Sequence, residues 1–275
     1  MTTLTTPNTG AAWSPDVYTF AAADVVPDAL ILQTATIAGD INGDQPSLHV
    51  GFVLDAKNAD YVAEGAEITD SEPNLDEVEV KTKKISRLVN LSNEQYAQPQ
   101  TPAQVAASVA RDLVRKADAS YLGDTSPVGL LNAPNVIDGG PVGADLDVLI
   151  DLVAQLETNG AIPSAIVLDP LGWAAFRKLK VADTYNQSLL GAGTTDAQTL
   201  VLSLPVLRSR FIPPYSGLVV DRNAIAAAVG QVKVATSDHA LFSSDAVQIR
   251  ATWRIGWNPV RPDRIGRFTI GSAGS

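Results

Sequence analysis

Apolar residues recur at four-residue steps across residues 101–122, and this spacing predicts one long amphipathic helix. The repeating apolar positions are Val105, Val109, Leu113, Ala117 and Tyr121. Charged residues fall mostly on the opposite side, so one face is expected to pack and the other to meet water. Thr101 and Gln104 match a capping box with Thr101 as the N-cap, and Pro102 takes the first helical position. At ~1.5 Å per residue the helix is on the order of 30 Å long, enough to span a small domain.

The chain before this helix contains unpatterned and strand-like stretches. Residues 1–28 are rich in Thr, Ala, Pro and Asp without periodicity, and we interpret them as an extended arm, with a disordered tail as the alternative. Residues 29–41 and 47–54 are apolar and β-branched, which favours strands. Asn42-Gly43 between them is a strong two-residue turn signal.

Residues 48–92 predict a long hairpin whose far half can bury little apolar surface. Residues 60–79 hold eight acidic side chains and no basic one. The return limb alternates as a half-buried strand does, but its apolar positions change parity between Val80 and Ile85, which predicts a β-bulge near residues 83–84. Such a hairpin does not stabilise its own ordering, so either it is mobile or another molecule orders it. The composition of this hairpin thus indicates that the protein assembles with another molecule.

The second half of the chain mixes shorter helices and strands. Periodicity and caps predict helices over residues 145–158 and 169–180. Strands are predicted over 165–168, 200–207, 217–220, 231–235 and 247–257, a loop over 181–199, and a short apolar helix or turn over 221–229. Because a mixed block lies between two groups of strands, we expect an α+β chain in two lobes rather than a repeating βαβ protein.

Charge is divided unevenly along the chain, whose formal net charge is −10. Residues 1–80 hold fourteen acidic side chains and one basic side chain, whereas residues 81–275 hold sixteen acidic and nineteen basic ones. A solvated face is the ordinary explanation of a charge run. Here each half would find its complement in the other, on the same chain or on a neighbour. The acidic balance argues against sequence-general nucleic-acid binding.

Residues that usually catalyse reactions or bind metals are scarce in this sequence. There is no cysteine, and the two histidines, His49 and His239, lie in or beside predicted strands without a nucleophile pattern. Neither a Gly-Lys-Ser/Thr phosphate loop nor a Gly-x-Ser-x-Gly elbow occurs. No apolar run approaches the ~20 residues that a membrane helix needs. We expect no catalytic residue, metal site, cofactor or membrane contact, and an enzyme would have to hide its site completely.

Several short runs occur in an order that resembles one known protein family. The runs are ADYVAEG (59–65), SEP (71–73), KISRLVNLS (84–92), PVGLLN (127–132), IVLDPLGW (166–173), GLVVD (217–221) and RATWRIG (250–256) followed by Arg261-Pro262. Together they resemble the major capsid proteins of tailed double-stranded DNA bacteriophages, which have the Hong Kong ninety-seven type of fold. The resemblance covers about residues 30–270 and rests on the ordered series rather than on any single motif.

The resemblance implies a role for each segment. The implied segments are an N-terminal arm with the first hairpin strand (1–47), an extended loop that reaches over a neighbouring subunit (48–92), a peripheral domain (93–130) with its spine helix (101–122), an axial α/β domain around the five- and six-fold axes (131–230), and the returning peripheral strands with the C-terminal tail (231–275). The implied function is structural, namely self-assembly through hexamers and pentamers into an icosahedral shell that encloses the phage DNA.

The resemblance also implies a partner for the acidic loop, namely another copy of the same chain. The expected inter-subunit contacts are Tyr61, Glu64, Glu67 and Glu72 of the loop and the basic residues Lys81, Lys83, Lys84, Arg250, Arg254 and Arg261. Pairing across subunits would fix register and orientation more than it adds affinity, because exposed ion pairs are weak.

Further partners follow from the same resemblance. About 28 unpatterned residues precede the fold, so we expect a scaffolding protein to be a separate chain, beside a portal protein and a cement or decoration protein. Packaged DNA would be contacted non-specifically, and the virion capsid would assemble in the host bacterial cytoplasm. The alternatives are an encapsulin-like compartment with an enzyme cargo, and a hydrolase or sugar-binding protein with an unrecognised site.

Overall fold

The computed structural model describes residues 17–54, 61–62, 64, 74–143, 145–182, 185–188 and 200–271, and it contains both helices and strands. The helices are α1 (Ala22–Val25), α2 (Leu30–Thr34), α3 (Asn93–Tyr96), α4 (Thr101–Gly123), α5 (Asp147–Thr158) and α6 (Pro170–Lys178). The strands are β1 (Val17–Phe20), β2 (Thr36–Ile41), β3 (Ser47–Leu54), β4 (Asn74–Ser92), β5 (Ile137–Val142), β6 (Ala165–Leu168), β7 (Lys180–Ala182), β8 (Tyr185–Ser188), β9 (Leu200–Val201), β10 (Leu204–Arg208), β11 (Ser216–Val220), β12 (Ile225–Gly230), β13 (Val232–Leu241), β14 (Ala246–Pro259) and β15 (Gly266–Ile270). This mixture confirms the expected α+β class.

Parts of several predictions lie outside the described residues. These parts are residues 1–16 of the arm, most of the loop between 55 and 73, residues 183–184 and 189–199 of the loop predicted over 181–199, and the tail residues 272–275.

The first sheet is built around β14, which has strand neighbours on both sides. β12 and β13 follow one edge of β14, and β4 follows the other edge over eleven residue pairs, all antiparallel. β1 extends the sheet beyond β13, and β2 extends it beyond β12. Helix α4 covers one face, where Trp257 of β14 meets Tyr121 edge-on with ring centroids 5.6 Å apart. This layer is therefore a helix packed on a sheet.

Helix α4 confirms the predicted long helix and its apolar stripe. Val109, Leu113, Ala117 and Tyr121 are all buried. The predicted capping box is wrong, because Gln100 occupies the N-cap position and no side chain caps the first turn. Gln100 has helical-region backbone angles (φ −99°, ψ −15°), whereas a capping side chain acts from an extended N-cap residue.

The segment predicted as one strand over residues 29–41 is divided into helix α2 and strand β2. The helical half lies against α4, where the Leu30 N–H donates to Asp118 Oδ1 at 2.8 Å. Thr34 Oγ1 lies 2.9 Å from the Tyr121 hydroxyl in the same contact. These tertiary bonds stabilise a helical turn against the β preference of its residues. Asp118, assigned by periodicity to the wet face of α4, is thus partly buried.

Asp118 makes this contact dependent on pH. Burial raises the pKa of Asp118 from its ordinary value of 3.8 to about 6, although the Leu30 N–H lowers it, and Asp28 adds to the rise. The native state therefore binds this proton more tightly than the unfolded chain does. Folding stability falls as pH rises from about 4 to about 6, and the loss is complete above that range.

Asp118→Asn should remove this pH dependence, because the amide still accepts from Leu30 but carries no charge. We expect the free energy of unfolding to rise by on the order of 2 kcal/mol at pH 7.5 and hardly at all at pH 4. Urea unfolding at the two pH values measures the difference, with Asp151→Asn on the exposed side of α5 as the control. An equal gain at both pH values would contradict a buried titrating carboxyl.

Strands β3 and β4 form the predicted hairpin over eight residue pairs, ending with Leu54 opposite Asn74. The predicted bulge near residues 83–84 is wrong, since β4 passes from β3 to β14 without a shift of register. The change of parity has another cause. Val80 is covered on one face by a small cluster from β2 and β12, whereas Ile85 packs on the opposite face in the core that contains α4.

The second sheet has the strand order β5–β15–β11–β6–β10–β9. Helices α5 and α6 and strand β6 confirm the elements predicted over 145–158, 169–180 and 165–168. Both helices bury their apolar residues against this sheet, where Phe176 of α6 meets Phe268 of β15 with ring centroids 6.1 Å apart. The α5 and α6 residues thus share one hydrophobic cluster with one face of this sheet, whereas Val167, Leu218 and Val220 on its other face belong to the cluster that contains α4.

Three predictions in this half differ from the structure. The loop predicted over 181–199 contains strand residues, because it includes most of the antiparallel pair β7 and β8. The strand predicted over 200–207 is two strands that reverse at Leu202 and Ser203, both with positive φ. The stretch 221–229, predicted as a short apolar helix or turn, begins with a 3-10 turn (Arg222–Ala224), but the rest of it is strand β12. Its alanines favour a helix locally, but β14 and β2 bind β12 on both edges.

Asp169 connects α6 to the loop before β11. It is the N-cap of α6, as the sequence predicts, and its Oδ2 accepts from the N–H groups of Leu171 at 3.0 Å and Gly172 at 3.1 Å. The same oxygen accepts from the N–H of Tyr215 at 3.1 Å, 46 residues later in the chain. One buried carboxylate therefore holds two segments together.

Candidate inter-subunit surface

β4 pairs with β3 from Asn74 to Lys81 and with β14 from Thr82 to Ser92, so the β3–β4 hairpin leaves the first sheet between Lys81 and Thr82. Two of the four loop residues expected to contact a neighbour are described, and both Tyr61 and Glu64 are exposed, Tyr61 completely. Glu67 and Glu72 lie outside the described residues. The described part of the loop therefore presents an aromatic and an acidic side chain to its surroundings.

Two of the expected basic contacts are engaged within their own subunit. Lys83 Nζ lies 3.1 Å from Asp124 Oδ2, just beyond the end of α4. Arg254 donates to Thr82 Oγ1 at 3.0 Å and to Asp44 Oδ1 at 3.3 Å. Both charges are thus partly neutralised by acidic side chains of the same subunit.

The other basic residues are separated by the alternation of the strands. Lys81 shares the face of β4 with Lys83, because successive side chains of a strand point to opposite faces. Lys84 and Arg250 are exposed on the opposite face, away from α4. Arg261 is half-buried beyond the end of β14. The predicted basic set is therefore not one continuous surface.

A groove of about 600 Å³ crosses the face of the first sheet that α4 leaves open. Its floor comes from β4, β13 and β14, and its walls come from the α1–α2 segment and the turn after β2. The charged residues that line this basic groove are Lys84, Lys233, Arg250 and Arg254, with Asp40 and Asp44. Sequence reasoning missed Lys233. It belongs here because it lies opposite Thr252, and such a register is not visible in the sequence.

Within the described ranges, no cluster of three or more His, Cys, Asp or Glu side chains converges as a metal site would require. His49 Nδ1 lies 3.0 Å from Glu77 Oε1, with both side chains more than half exposed on the hairpin. No helix in the described part of the chain is long and apolar enough to cross a membrane. The chemistry that this surface offers is charge complementarity between a basic groove and an acidic hairpin.

A protein-family model matches this chain over residues 28–269, and the family is described as the phage capsid family. The chain belongs to the phage capsid family. This assignment confirms the resemblance that the ordered sequence runs indicate. Among curated proteins, no sequence matches the chain significantly.

Solved structures share the fold of this phage capsid family member. The structure titled "Capsid of empty GTA particle computed with C5 symmetry" gives a TM-score of 0.68 at 17% identity, covering 89% of this chain and 90% of that one. A structure from Mycobacterium phage Adephagia gives 0.67 at 14% identity, covering 90% and 91%. One from Gordonia phage Cozz gives 0.65 at 15% identity, covering 98% and 92%. At these identities the likeness establishes the fold.

Family and fold together identify a structural protein, the major capsid protein of an icosahedral phage shell and thus a component of the virion capsid. The matches do not favour the encapsulin-like alternative. The individual loop and basic contacts between subunits stay a prediction.

Proposed function

We propose that this major capsid protein builds hexamers and pentamers by laying the β3–β4 hairpin of each subunit over the next one. The observation that supports the proposal is the way the hairpin is attached. β4 is 19 residues long, about 60 Å at ~3.3 Å per residue. Eleven of its residues pair with β14, and the rest leave the sheet with β3 as their strand partner.

A two-stranded hairpin alone is at best marginally stable in water. A neighbouring subunit is therefore the natural support for the projecting half. Because the hairpin and the surface beneath it are different parts of the chain, the contact is heterologous, and repeating it around an axis closes a ring.

The proposal keeps the segment roles that the sequence implies. The arm is 1–47, the extended loop 48–92, the peripheral domain 93–130 with returning strands from 231–275, and the axial domain 131–230. Sheet membership indicates two adjustments, since β12 joins the layer of α4 and β15 joins the second sheet.

The proposed partners are further copies of the chain, a separate scaffolding protein, a portal protein and a cement or decoration protein. Packaged DNA is contacted non-specifically, and assembly takes place in the host bacterial cytoplasm. The protein acts as a structural component without catalysis or a cofactor.

The test is negative-stain electron microscopy of the purified chain at physiological salt, alone and with a co-expressed scaffolding protein. We expect closed shells, tubes or capsomer rings from the wild-type chain. A matched variant replaces residues 55–73 by Asn-Gly, a dipeptide that closes a short hairpin. This variant should keep the wild-type thermal transition, because it retains both sheets, but it should form no closed shell.

The role of the hairpin and the assembly of a shell can each be contradicted by a separate result. Closed shells from the shortened chain would show that the hairpin is not the assembling element. A wild-type chain that stays monomeric even with its scaffolding protein would contradict shell assembly itself.

A further inference from the structure

We propose that a cavity between α4 and β4 is a binding site for inorganic hydrogen phosphate. The cavity has a volume of about 410 Å³, and β14 closes its floor. The residues that would hold the anion are Lys83 of β4, Lys116 and Ser120 of α4, and Asp124 directly after α4. The site lies within one subunit, so it goes beyond the proposed function and does not depend on shell assembly.

Ion pairs join α4 to β4 on both sides of this cavity. Arg87 of β4 pairs with Asp112 of α4. Four positions earlier on β4, Lys83 Nζ lies 3.1 Å from Asp124 Oδ2. Lys116 stands between the two acidic residues on the same side of α4, and it has no ion pair among the described residues. The space between the two ion pairs therefore carries a positive charge that the subunit does not neutralise.

Ser120 adds a buried hydroxyl group to the wall of the cavity. The residue is 4% exposed, and its hydroxyl has no hydrogen-bond partner in the part of the chain that the structure describes. The helical residues Thr34 and Thr158 instead donate to the carbonyl oxygen four residues earlier. Because a buried polar group without a partner is costly, a ligand oxygen that accepts from Ser120 would stabilise the subunit.

Asp124 determines which anion the site can accept. Sulfate carries no proton at neutral pH, so its oxygens would only repel the Asp124 carboxylate. Inorganic phosphate keeps at least one O–H group at neutral pH, and this group can donate to Asp124. Its other oxygens can accept from the Lys116 ammonium and the Ser120 hydroxyl, and hydrogen bonds between charged groups are the stronger kind. The residues thus select an anion that both donates and accepts.

Two other ligands fit the cavity less well. A divalent cation requires several oxygen ligands, whereas the site offers one carboxylate beside two lysines. The phosphodiester groups of DNA have no O–H to donate to Asp124. A duplex would also reach only the exposed lysines, because Ser120 is buried.

Isothermal titration calorimetry of the purified full chain tests the site, in a phosphate-free buffer at constant ionic strength. We expect one inorganic phosphate to bind per chain, and sulfate to bind about tenfold more weakly, because sulfate lacks the hydrogen bond to Asp124. At ten times its dissociation constant, phosphate should raise the midpoint of thermal unfolding by about 3 °C, and sulfate at that concentration by about 1 °C.

Removing a donor from the cavity should weaken phosphate binding without unfolding the chain. Ser120→Ala places a strong helix former in α4, so the variant should fold, and it should bind phosphate about tenfold more weakly. Lys116→Met should cause a loss of at least the same size. Ser108→Ala on α4 and Lys178→Met on α6 make the same changes outside the cavity, and both should bind phosphate as the wild type does.

Asp124→Asn tests the selectivity of the site, a property that a merely structural role would not alter. The amide can donate to an anion oxygen, so the variant should bind sulfate and phosphate with equal affinity. A preference for phosphate that survives this substitution would contradict the assigned role of Asp124.

Phosphate binding that Ser120→Ala weakens and Asp124→Asn makes unselective would establish the site. Equal stabilisation of the wild-type chain by phosphate and sulfate would overturn it, as would an affinity for phosphate that Ser120→Ala leaves unchanged. Displacement of bound phosphate by a DNA duplex without terminal phosphates would also overturn it, in favour of a phosphodiester site. All of these measurements concern the single chain, so their failure would leave the proposed function intact.

Discussion

Trp257→Ala should lower the free energy of unfolding of the isolated subunit by about 4 kcal/mol, the range for removing a buried tryptophan. The indole is 1% exposed and meets Tyr121 of α4 edge-on at 5.6 Å. Its Nε1–H donates to the Val128 carbonyl at 2.9 Å. One side chain thus fixes the sheet, the long helix and the loop after the helix, so its loss opens a cavity among all three.

Two variants separate the parts of this effect in urea unfolding. Trp257→Phe keeps most of the buried surface and removes the hydrogen bond, and it should cost about 1 to 2 kcal/mol. Phe242→Ala removes an aromatic ring that is 83% exposed, and the result should stay within about 0.5 kcal/mol of wild type. A loss below about 1 kcal/mol for Trp257→Ala would mean that α4 is not held by this contact.

Asp169→Ala should cost about 3 kcal/mol, because it leaves one buried and two partly buried N–H groups without an acceptor. The side chain is 6% exposed, and one of its oxygens accepts from Leu171, Gly172 and Tyr215. The cap of α6 and the closure onto the loop before β11 are lost together, so the cost exceeds the ~1 kcal/mol typical of a helix cap.

Thermal or urea unfolding measures this loss, with Asp151→Ala as the matched control on an exposed position of α5. The control removes the same carboxylate from a solvent-facing helix position, and it should change stability by less than about 0.5 kcal/mol. If the two variants behaved alike, Asp169 would be an ordinary surface residue rather than a link between segments.

Local periodicity specifies the fold wherever an element's own residues determine its packing. The helix over 101–122 and the strand over 165–168 follow from spacing and composition alone. Residues 30–34 and 225–230 behave differently, because tertiary partners decide their conformation. Asp118 holds the first as a helix, and two flanking strands hold the second as a strand. These partners are distant in the sequence, so a pattern within a short window cannot reveal them.

The candidate surface follows from the sequence only in part. The opposite charges of the hairpin and of the later strands are visible in composition. The composition does not show which basic side chains lack an ion pair within the subunit. Lys83, for example, pairs with Asp124 because α4 ends beside it. The contribution of Lys233 depends on the register between β13 and β14. Pairings between distant segments decide both points.

The eleven residue pairs between β4 and β14 also determine how strongly a subunit resists a pulling force. A pull on the hairpin along β4 acts parallel to the strands and therefore at right angles to the hydrogen bonds between them. Under this shear the bonds of the ladder must lengthen together, whereas a peeling force would open them one by one. In the proposed assembly, a shell swollen by internal pressure would accordingly separate at the contact between a hairpin and the neighbouring subunit, and the torn fragments would still be folded subunits.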